Sequence, residues 1–316
     1  MAGIYLHIPF CKQACHYCDF HFSTRLVHKA EMVDCLIMEM ELQAEMLQGQ
    51  TVNTIYFGGG TPSILEAQQL EQILKGLSHH FSIVENPEIT LEANPDDLSL
   101  PYLKAIRSVG INRLSIGIQS FDEEDLKFMN RAHNATQSHQ ALGNCREAGF
   151  ENLSIDLIYG VPNRDENFWL KQLETAWNYR PDHISAYALT VEEKTAYDHY
   201  IKQGIFSAPD DENSLNHFKL LTQFLHDKGY EHYEISNFAQ AGKISQHNSN
   251  YWRRKHYLGL GPGAHSFFGN FRQWNVANNA LYMKKVKSNK PWYEKEELSL
   301  ADQYNEYIMT RLRTNW

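Results

Sequence analysis

The sequence predicts an α/β protein built on a partial (β/α)6 barrel. Short stretches rich in β-branched and aromatic residues alternate with longer stretches of helical period up to about residue 205. Several short stretches are apolar throughout, as in Leu157-Ile158-Tyr159, which is typical of parallel strands covered on both faces. Repeated strand and helix units of this kind form a parallel sheet, and a closed or partly open barrel follows.

The elements can be assigned in order along the chain. Strands are predicted at Ile4–Ile8, Thr54–Phe57, Glu88–Glu92, Arg113–Gln119, Leu153–Ile158 and His183–Ala188. Helical patterns lie between them, including Lys29–Leu47, Glu66–His79 and Asn167–Tyr179. In such barrels the active site is built from the loops that follow the strands, so chemistry is expected just past each strand.

Beyond residue 205 the alternation stops. Asp210–His226 reads as a helix, and residues 231–271 are rich in Gly, His, Asn and aromatic residues. The chain ends in a helical pattern over residues 309–313 with no cap or stop signal. We therefore expect a barrel over residues 1–205, an α/β extension over residues 206–285, and over residues 286–316 the start of a C-terminal helical domain that is cut short.

Composition excludes several classes of protein. The 38 acidic residues outnumber the 29 basic ones, and Lys and Arg form no long block, which argues against nucleic-acid binding. The apolar runs are far shorter than the roughly 20 residues that span a bilayer. The first ten residues lack the basic start and apolar stretch of a signal peptide. We expect a cytoplasmic protein.

Three of the five cysteines lie together directly after the first strand. Cys11, Cys15 and Cys18 have the spacing C-x3-C-x2-C. Three thiolates on one loop can hold three corners of a [4Fe-4S] cluster and leave the fourth iron open. The alternative is a zinc ion held by these thiolates and one nearby histidine, although the spacing differs from the paired C-x2-C knuckles of structural zinc sites. The histidines within reach are His7, His16 and His21.

Further polar or glycine-rich positions follow the next strands. Gly59 and Thr61 lie in Phe-Gly-Gly-Gly-Thr-Pro after the second strand, where bare glycines let the backbone approach a ligand. Glu92 ends the third strand, Gln119 ends the fourth, and Asp156 lies in the fifth. Each of these could be an ordinary barrel polar group. Together they offer hydrogen-bond donors and acceptors to one polar ligand at the barrel mouth.

These motifs resemble the radical S-adenosylmethionine superfamily, whose members share a partial β/α barrel. The stretch from Tyr5 to Asp156 resembles the branch that contains oxygen-independent coproporphyrinogen III dehydrogenase and the heme chaperone HemW. The resemblance implies a [4Fe-4S] cluster and S-adenosylmethionine as cofactors. It implies that Gly59 and Thr61 hold the methionyl amino group and that Arg131 pairs with the cofactor carboxylate. Tyr5 matches a position near the cofactor, and the barrel polar residues Glu92, Gln119 and Asp156 complete its expected contacts.

Two departures from the dehydrogenase pattern favour the chaperone side of this branch. The dehydrogenases carry a fourth cysteine two residues beyond the third, where this chain has Phe20, and an extension ahead of the barrel, where this chain has four residues before Tyr5. His247-Asn248-Ser249-Asn250-Tyr251-Trp252 fits the H-N-x-x-Y-W heme-binding motif of the chaperones. An imidazole is a suitable axial ligand for heme iron. His247 is therefore the expected heme ligand or contact, with His256 and His265 as alternative ligands.

The resemblance implies a chaperone that binds heme and delivers it to respiratory or heme-storage proteins. It also implies an effect of the cluster on homodimerisation and an association with the membrane in which acceptors reside. Two other functions stay open. One is the dehydrogenase reaction, which removes two propionate carboxyl groups by radical chemistry. The other is a zinc-stabilised binding protein without redox chemistry.

Overall fold

The computed structural model describes residues 1–316, which form one twisted, unclosed sheet with helices packed around it. The strands are β1 Ala2–Ile8, β2 Val52–Gly59, β3 Ile83–Ala93, β4 Arg113–Gln119, β5 Leu153–Tyr159, β6 His183–Ala188, β7 Glu231–Glu234, β8 Asn237–Ala239, β9 Tyr257–Leu260, β10 His265–Phe267, β11 Phe271–Asn275 and β12 Tyr293–Glu297. Their order in the sheet is β12-β11-β10-β9-β1-β2-β3-β4-β5-β6-β8-β7. Strands β1 to β6 are parallel, which confirms the predicted (β/α)6 arrangement.

The helices lie at or within a few residues of the predicted positions, and several shorter ones were not predicted. They are α1 Lys29–Leu42, α2 Ala67–His80, α3 Leu100–Ser108, α4 Glu123–Phe128, α5 Ala135–Glu147, α6 Glu166–Asn178, α7 Ala196–Lys202, α8 Asp211–Asp227, α9 Gln246–Trp252, α10 Asn279–Lys287 and α11 Leu300–Leu312. Polar caps fix many of their starts: Asn134 and Gln137 form a capping box at α5, and Asp210 accepts a backbone N–H at α8. None of the helices is both long and apolar enough to cross a membrane.

Alternation along β1 separates the core from the barrel interior. Ile4, Leu6 and Ile8 are at most 1% exposed and belong to the main hydrophobic core. Tyr5 and His7 point to the opposite face, because successive strand residues alternate. That inner face is the lumen of the partial barrel, and it carries the polar side chains discussed below.

The extension lengthens the sheet at both edges and leaves the barrel open. Strand β9 pairs with β1 in parallel, and β10, β11 and β12 follow it as antiparallel strands. At the other edge β8 pairs with β6, and β7 pairs with β8, both antiparallel. Residues 231–271, for which the sequence predicted no strands, therefore supply strands at both edges of the sheet. The proposed domain boundaries after residues 205 and 285 stay a prediction.

One predicted helix end was wrong. The pattern Lys29–Leu47 is not one helix: α1 ends at Leu42, and a separate short 3-10 turn covers Ala44–Leu47. Helix α11 covers Leu300–Leu312, the backbone of Thr314 bridges to Glu234 in β7, and the ring of Trp316 stacks on Tyr233.

Candidate cofactor site at the carboxyl ends of the strands

The cysteine loop follows β1, and its three thiols are half-buried and free of disulfide bonds. The Arg131 guanidinium donates to Cys15 Sγ at 3.2 Å, and Thr61 Oγ1 donates to Cys11 Sγ at 3.4 Å. Burial raises the pKa of Cys11 to about 11 and the pKa of Cys18 to about 12. Cys11 and Cys18 are therefore thiols in the free loop, and the positive charge of a bound metal would favour their thiolates.

The donor set fits an iron–sulfur cluster with one open corner. The two remaining cysteines, Cys35 and Cys145, are buried in helices α1 and α5. No group of three His, Cys, Asp or Glu side chains converges tightly enough to enclose a single ion. The Nδ1 of His7 pairs with the Tyr5 hydroxyl. Beyond that, each of the three histidines of the zinc alternative pairs one ring nitrogen with a different partner. These pairs are His7 with the His21 carbonyl, His16 with the Phe128 carbonyl, and His21 with Asn279 Oδ1.

The glycine turn after β2 holds the cysteine loop by close backbone contact. A Cβ at Gly60 would lie 2.6 Å from the carbonyl oxygen of Phe10 and 3.0 Å from Cys11 Sγ. Gly59 has a φ of 111°, which favours glycine. The backbone N–H of Thr61 donates to the Phe10 carbonyl at 2.7 Å. Larger residues would push the turn and the cysteine loop apart.

Two carboxyl groups lie on the inner wall of the barrel. Glu92 accepts hydrogen bonds from the Tyr56 hydroxyl at 2.7 Å and from the Gly59 backbone N–H at 3.2 Å. Burial raises the pKa of Glu92 to about 7, and burial raises the pKa of Asp156 to about 6. Asp156 accepts from Ser115 Oγ at 3.2 Å. Both groups can bind hydroxyl or ammonium groups of a polar ligand.

Arg131 lies between the cysteine loop and the end of β4. Its guanidinium donates to Asn94 Oδ1 at 2.7 Å and to the Gly117 carbonyl at 2.8 Å, while its buried Nε has no partner within the chain. Gln119 ends β4 with a φ of 65°, a conformation that costs energy for a residue other than glycine. A cation with an unused N–H beside the cysteines is suited to a carboxylate ligand.

The structure brings most predicted residues together at this end of the barrel. Tyr5 OH lies 3.2 Å from His7 Nδ1, and the Tyr5 ring stacks on Tyr56 with centroids 6.1 Å apart. Sequence reasoning did not identify Tyr56, which contacts Glu92, or Asn94, which contacts Arg131. The sequence did hold a signal for Tyr56. Thr54, Tyr56 and Gly58 alternate along β2, so their side chains must share the inner face.

His247 lies deeper in the barrel than the other predicted residues. Its side chain is 1% exposed, and its ring stacks on Tyr56 at 5.1 Å. Nδ1 is hydrogen-bonded to Thr54 Oγ1 and Nε2 to the Tyr251 hydroxyl, each at 2.8 Å. The Glu88 carboxylate accepts the backbone N–H of His247 and anchors helix α9. Burial lowers the pKa of His247 to about 3. Its role toward heme stays a prediction.

The two alternative histidines lie on the sheet extension. His256 is half-buried, and its Nδ1 is hydrogen-bonded to Gln50 Oε1 at 3.0 Å. His265 is exposed at the start of β10, and its ring lies 6.3 Å from that of Trp274. Burial and then the charge of Arg272 lower the pKa of His265. A neutral imidazole is the form that binds metal.

Comparison with known proteins identifies the family that the sequence motifs resemble. Residues 5–170 match the model of the Radical SAM superfamily. The chain is 33% identical over 309 residues to the heme chaperone HemW of Lactococcus lactis subsp. lactis (strain IL1403), covering 98% of this chain and 80% of that protein. It is 33% identical over 316 residues to the heme chaperone HemW of Bacillus subtilis (strain 168), covering 99% and 83%.

Among solved structures, the coproporphyrinogen III oxidase HemN from Escherichia coli is similar with a TM-score of 0.86 and 26% identity. The match covers 99% of this chain and 76% of that enzyme. The family model covers the cysteine loop, the glycine turn and most of the partial barrel, and the near-full-length relatives are named heme chaperones. The chain therefore belongs to the radical SAM superfamily and, within it, to the family of the heme chaperone HemW.

Proposed function

We propose that this protein is a heme chaperone that carries a [4Fe-4S] cluster and S-adenosylmethionine and delivers heme to respiratory or heme-storage proteins. The observation that supports it best is the near-full-length similarity to heme chaperones in a chain whose cysteine loop has three thiols and no fourth cysteine nearby. Phe20, two residues after Cys18, is 69% exposed. The cluster then keeps one corner free of protein ligands.

The residues around the loop have separable roles in this proposal. Cys11, Cys15 and Cys18 bind three irons. A cluster held there would supply an open iron to bind the methionyl group and an electron for its sulfonium. Arg131 offsets the negative charge of the thiolates and offers its free N–H to the cofactor carboxylate. Burial raises the pKa of Glu92 to about 7, so Glu92 can accept from a hydroxyl or an ammonium group as a carboxylate and can donate to a hydroxyl oxygen as a carboxylic acid.

A heme titration of anaerobically reconstituted protein tests the proposal. We expect saturable heme binding, followed by transfer of heme to an apo-acceptor, with and without S-adenosylmethionine. Iron and acid-labile sulfide are measured on the same sample, because zinc without sulfide would exclude a cluster. Protein with the cluster removed serves as the control for effects of the cluster on heme release and on dimerisation, which gel filtration measures. Failure of the reconstituted protein to bind heme would refute the chaperone function.

The dehydrogenase reaction is the second candidate, because the solved structure that matches with a TM-score of 0.86 is a coproporphyrinogen III oxidase. Reconstituted protein is incubated with coproporphyrinogen, S-adenosylmethionine and a reductant without oxygen. We expect no protoporphyrinogen. Formation of protoporphyrinogen at a rate set by the cluster content would establish an enzyme in place of a chaperone.

A further inference from the structure

A path of hydrogen bonds links two of the three predicted cluster ligands. Thr61 Oγ1 donates to Cys11 Sγ at 3.4 Å, and Asn94 Nδ2 donates to Thr61 Oγ1, also at 3.4 Å. On the other side of the amide, Arg131 Nη2 donates to Asn94 Oδ1 at 2.7 Å, and Arg131 Nη1 donates to Cys15 Sγ at 3.2 Å. Asn94 is therefore the residue that joins the two sulfur donors.

The chemistry of the groups fixes the direction of every bond in this path. A guanidinium can only donate hydrogen bonds, so the atom of Asn94 that faces Arg131 must be the amide oxygen. The amide NH2 group then faces Thr61 and donates to its hydroxyl oxygen. Because an NH2 group does not accept, the hydroxyl proton of Thr61 is left for Cys11 Sγ. Each of the two sulfurs consequently receives one donor.

Asn94 is held in place by its own backbone and has room because of a glycine in β4. The backbone N–H of Asn94 donates to Ser63 Oγ at 3.1 Å, and Ser63 Oγ donates to Asp97 Oδ2 at 2.5 Å. A Cβ at Gly117 would lie 3.0 Å from Arg131 Nη2 and 3.7 Å from Asn94 Oδ1. The Gly117 carbonyl accepts from the same Nη2 at 2.8 Å. The glycine thus lets the guanidinium reach the amide.

Hydrogen bonds to the ligand sulfurs are one of the factors that set the reduction potential of an iron–sulfur cluster. They stabilise the reduced cluster more than the oxidised one, because the reduced cluster carries one more negative charge. Each donor at a cysteine sulfur therefore raises the potential. Thr61 and Arg131 supply two such donors here, and Asn94 contacts both of them. Asn94 can act on a cluster through these two side chains without contacting a cysteine itself.

We propose that Asn94 is a positioning residue, which directs one hydrogen-bond donor to Cys11 and one to Cys15 and thereby raises the reduction potential of the bound cluster. The proposal rests on the proposed function, because it requires a cluster held by the three cysteines. An aspartate at position 94 would reverse part of the path. A carboxylate accepts and does not donate, so the Thr61 hydroxyl would turn from Cys11 to the carboxylate, while Arg131 would keep its partner.

A double-mutant cycle between positions 94 and 61 tests the proposal. Wild type, Asn94→Asp, Thr61→Val and the double variant are reconstituted without oxygen, and a redox titration without S-adenosylmethionine is followed by electron paramagnetic resonance. We expect Asn94→Asp to lower the ratio of reduced to oxidised cluster at a fixed potential about tenfold, which is about 59 mV for one electron. Thr61→Val should also lower the ratio, because it removes the donor to Cys11.

The cycle separates the path of hydrogen bonds from the added charge. In the Thr61→Val background, Asn94→Asp should have a smaller effect, since the hydroxyl that turns away is absent. Asn305→Asp adds the same charge at an exposed position of helix α11 and should match the wild type. Circular dichroism and the iron and sulfide content check folding and cluster loading in every variant.

Failure of this role and failure of the proposed function give different results. If the wild type loads a cluster and Asn94→Asp changes its potential equally in both backgrounds, or not at all, the role of Asn94 alone is wrong. If Asn94→Asp takes up no cluster, Asn94→Ala, which adds no charge, is compared in the two backgrounds by the same criterion. A wild-type protein that takes up neither iron nor sulfide would refute the cluster of the proposed function and this role with it.

Discussion

Replacing Glu39 by Gln should destabilise the attachment of the sheet extension to the barrel. The side chain is fully buried in α1 and accepts five hydrogen bonds, each between 2.5 and 2.9 Å. Four of the donors come from the loop after β9, from β11, from α10 and from the segment before β12. They are the Gly261 backbone N–H, Asn275 Nδ2, the Tyr282 hydroxyl and Trp292 Nε1.

The expected loss in the free energy of unfolding follows from how the five hydrogen bonds are divided between the two carboxylate oxygens of Glu39. Oε2 accepts from Gly261 N–H and the Tyr282 hydroxyl, and Oε1 accepts from the other three donors. A glutamine amide has one acceptor oxygen, so its NH2 group must face two donors. Two hydrogen bonds to a charged acceptor are worth about 3–6 kcal/mol, and relief from burying a charge offsets part of that loss. We expect a net loss of about 2–4 kcal/mol in the free energy of unfolding.

Urea unfolding, followed by circular dichroism and by tryptophan fluorescence, measures this loss. Trp292 donates to Glu39, so the fluorescence transition reports on the extension itself. Glu41→Gln is the matched control, since Glu41 lies in the same helix and is exposed. A Glu39→Gln variant within about 0.5 kcal/mol of the control would refute the reasoning, because surface substitutions stay in that range.

Three further predictions concern the cofactor site. The pKa of Glu92 is raised to about 7, so its carboxyl stabilises the fold at low pH and loses that contribution as pH rises through 7. Stability of Glu92→Gln relative to wild type should increase by about 3 kcal/mol between about pH 4 and pH 8, measured by urea unfolding. Arg131→Gln should weaken S-adenosylmethionine binding about tenfold or more in calorimetry, because a charge-assisted pair is lost. Cys15→Ala should lose iron and acid-labile sulfide, whereas Cys145→Ala should retain both.

Specific results would contradict these predictions. A pH-independent difference between Glu92→Gln and wild type would mean that the carboxyl titrates at its ordinary value. An Arg131→Gln variant that binds S-adenosylmethionine as tightly as the wild type would mean that Arg131 forms no charge-assisted pair with the cofactor. A Cys15→Ala variant that keeps its full iron and sulfide content would place the cluster on other ligands.

The sequence alone predicted the partial barrel and the polar residues and glycines at the carboxyl ends of its strands. Strand β4 is predicted with the bounds that the structure gives, because its apolar run and turn residues are local signals. Residues at the ends of parallel strands meet at one edge, so Glu92 and the glycine turn could be placed together before any contact was known. The three cysteines lie in one loop, so their spacing could also be read from the sequence alone.

Tertiary structure decided everything that depends on contacts between distant parts of the chain. Thr314 and Asn315 contact β7, which no local pattern predicts. Glu39 meets Gly261 only because β9 adds to β1 in parallel. The motif around His247 suggests a ligand by its residue types, and only the fold shows that this ring stacks on Tyr56 with both nitrogens hydrogen-bonded. Periodicity reports which face a residue occupies, whereas the partner of a buried polar group is set by chain topology.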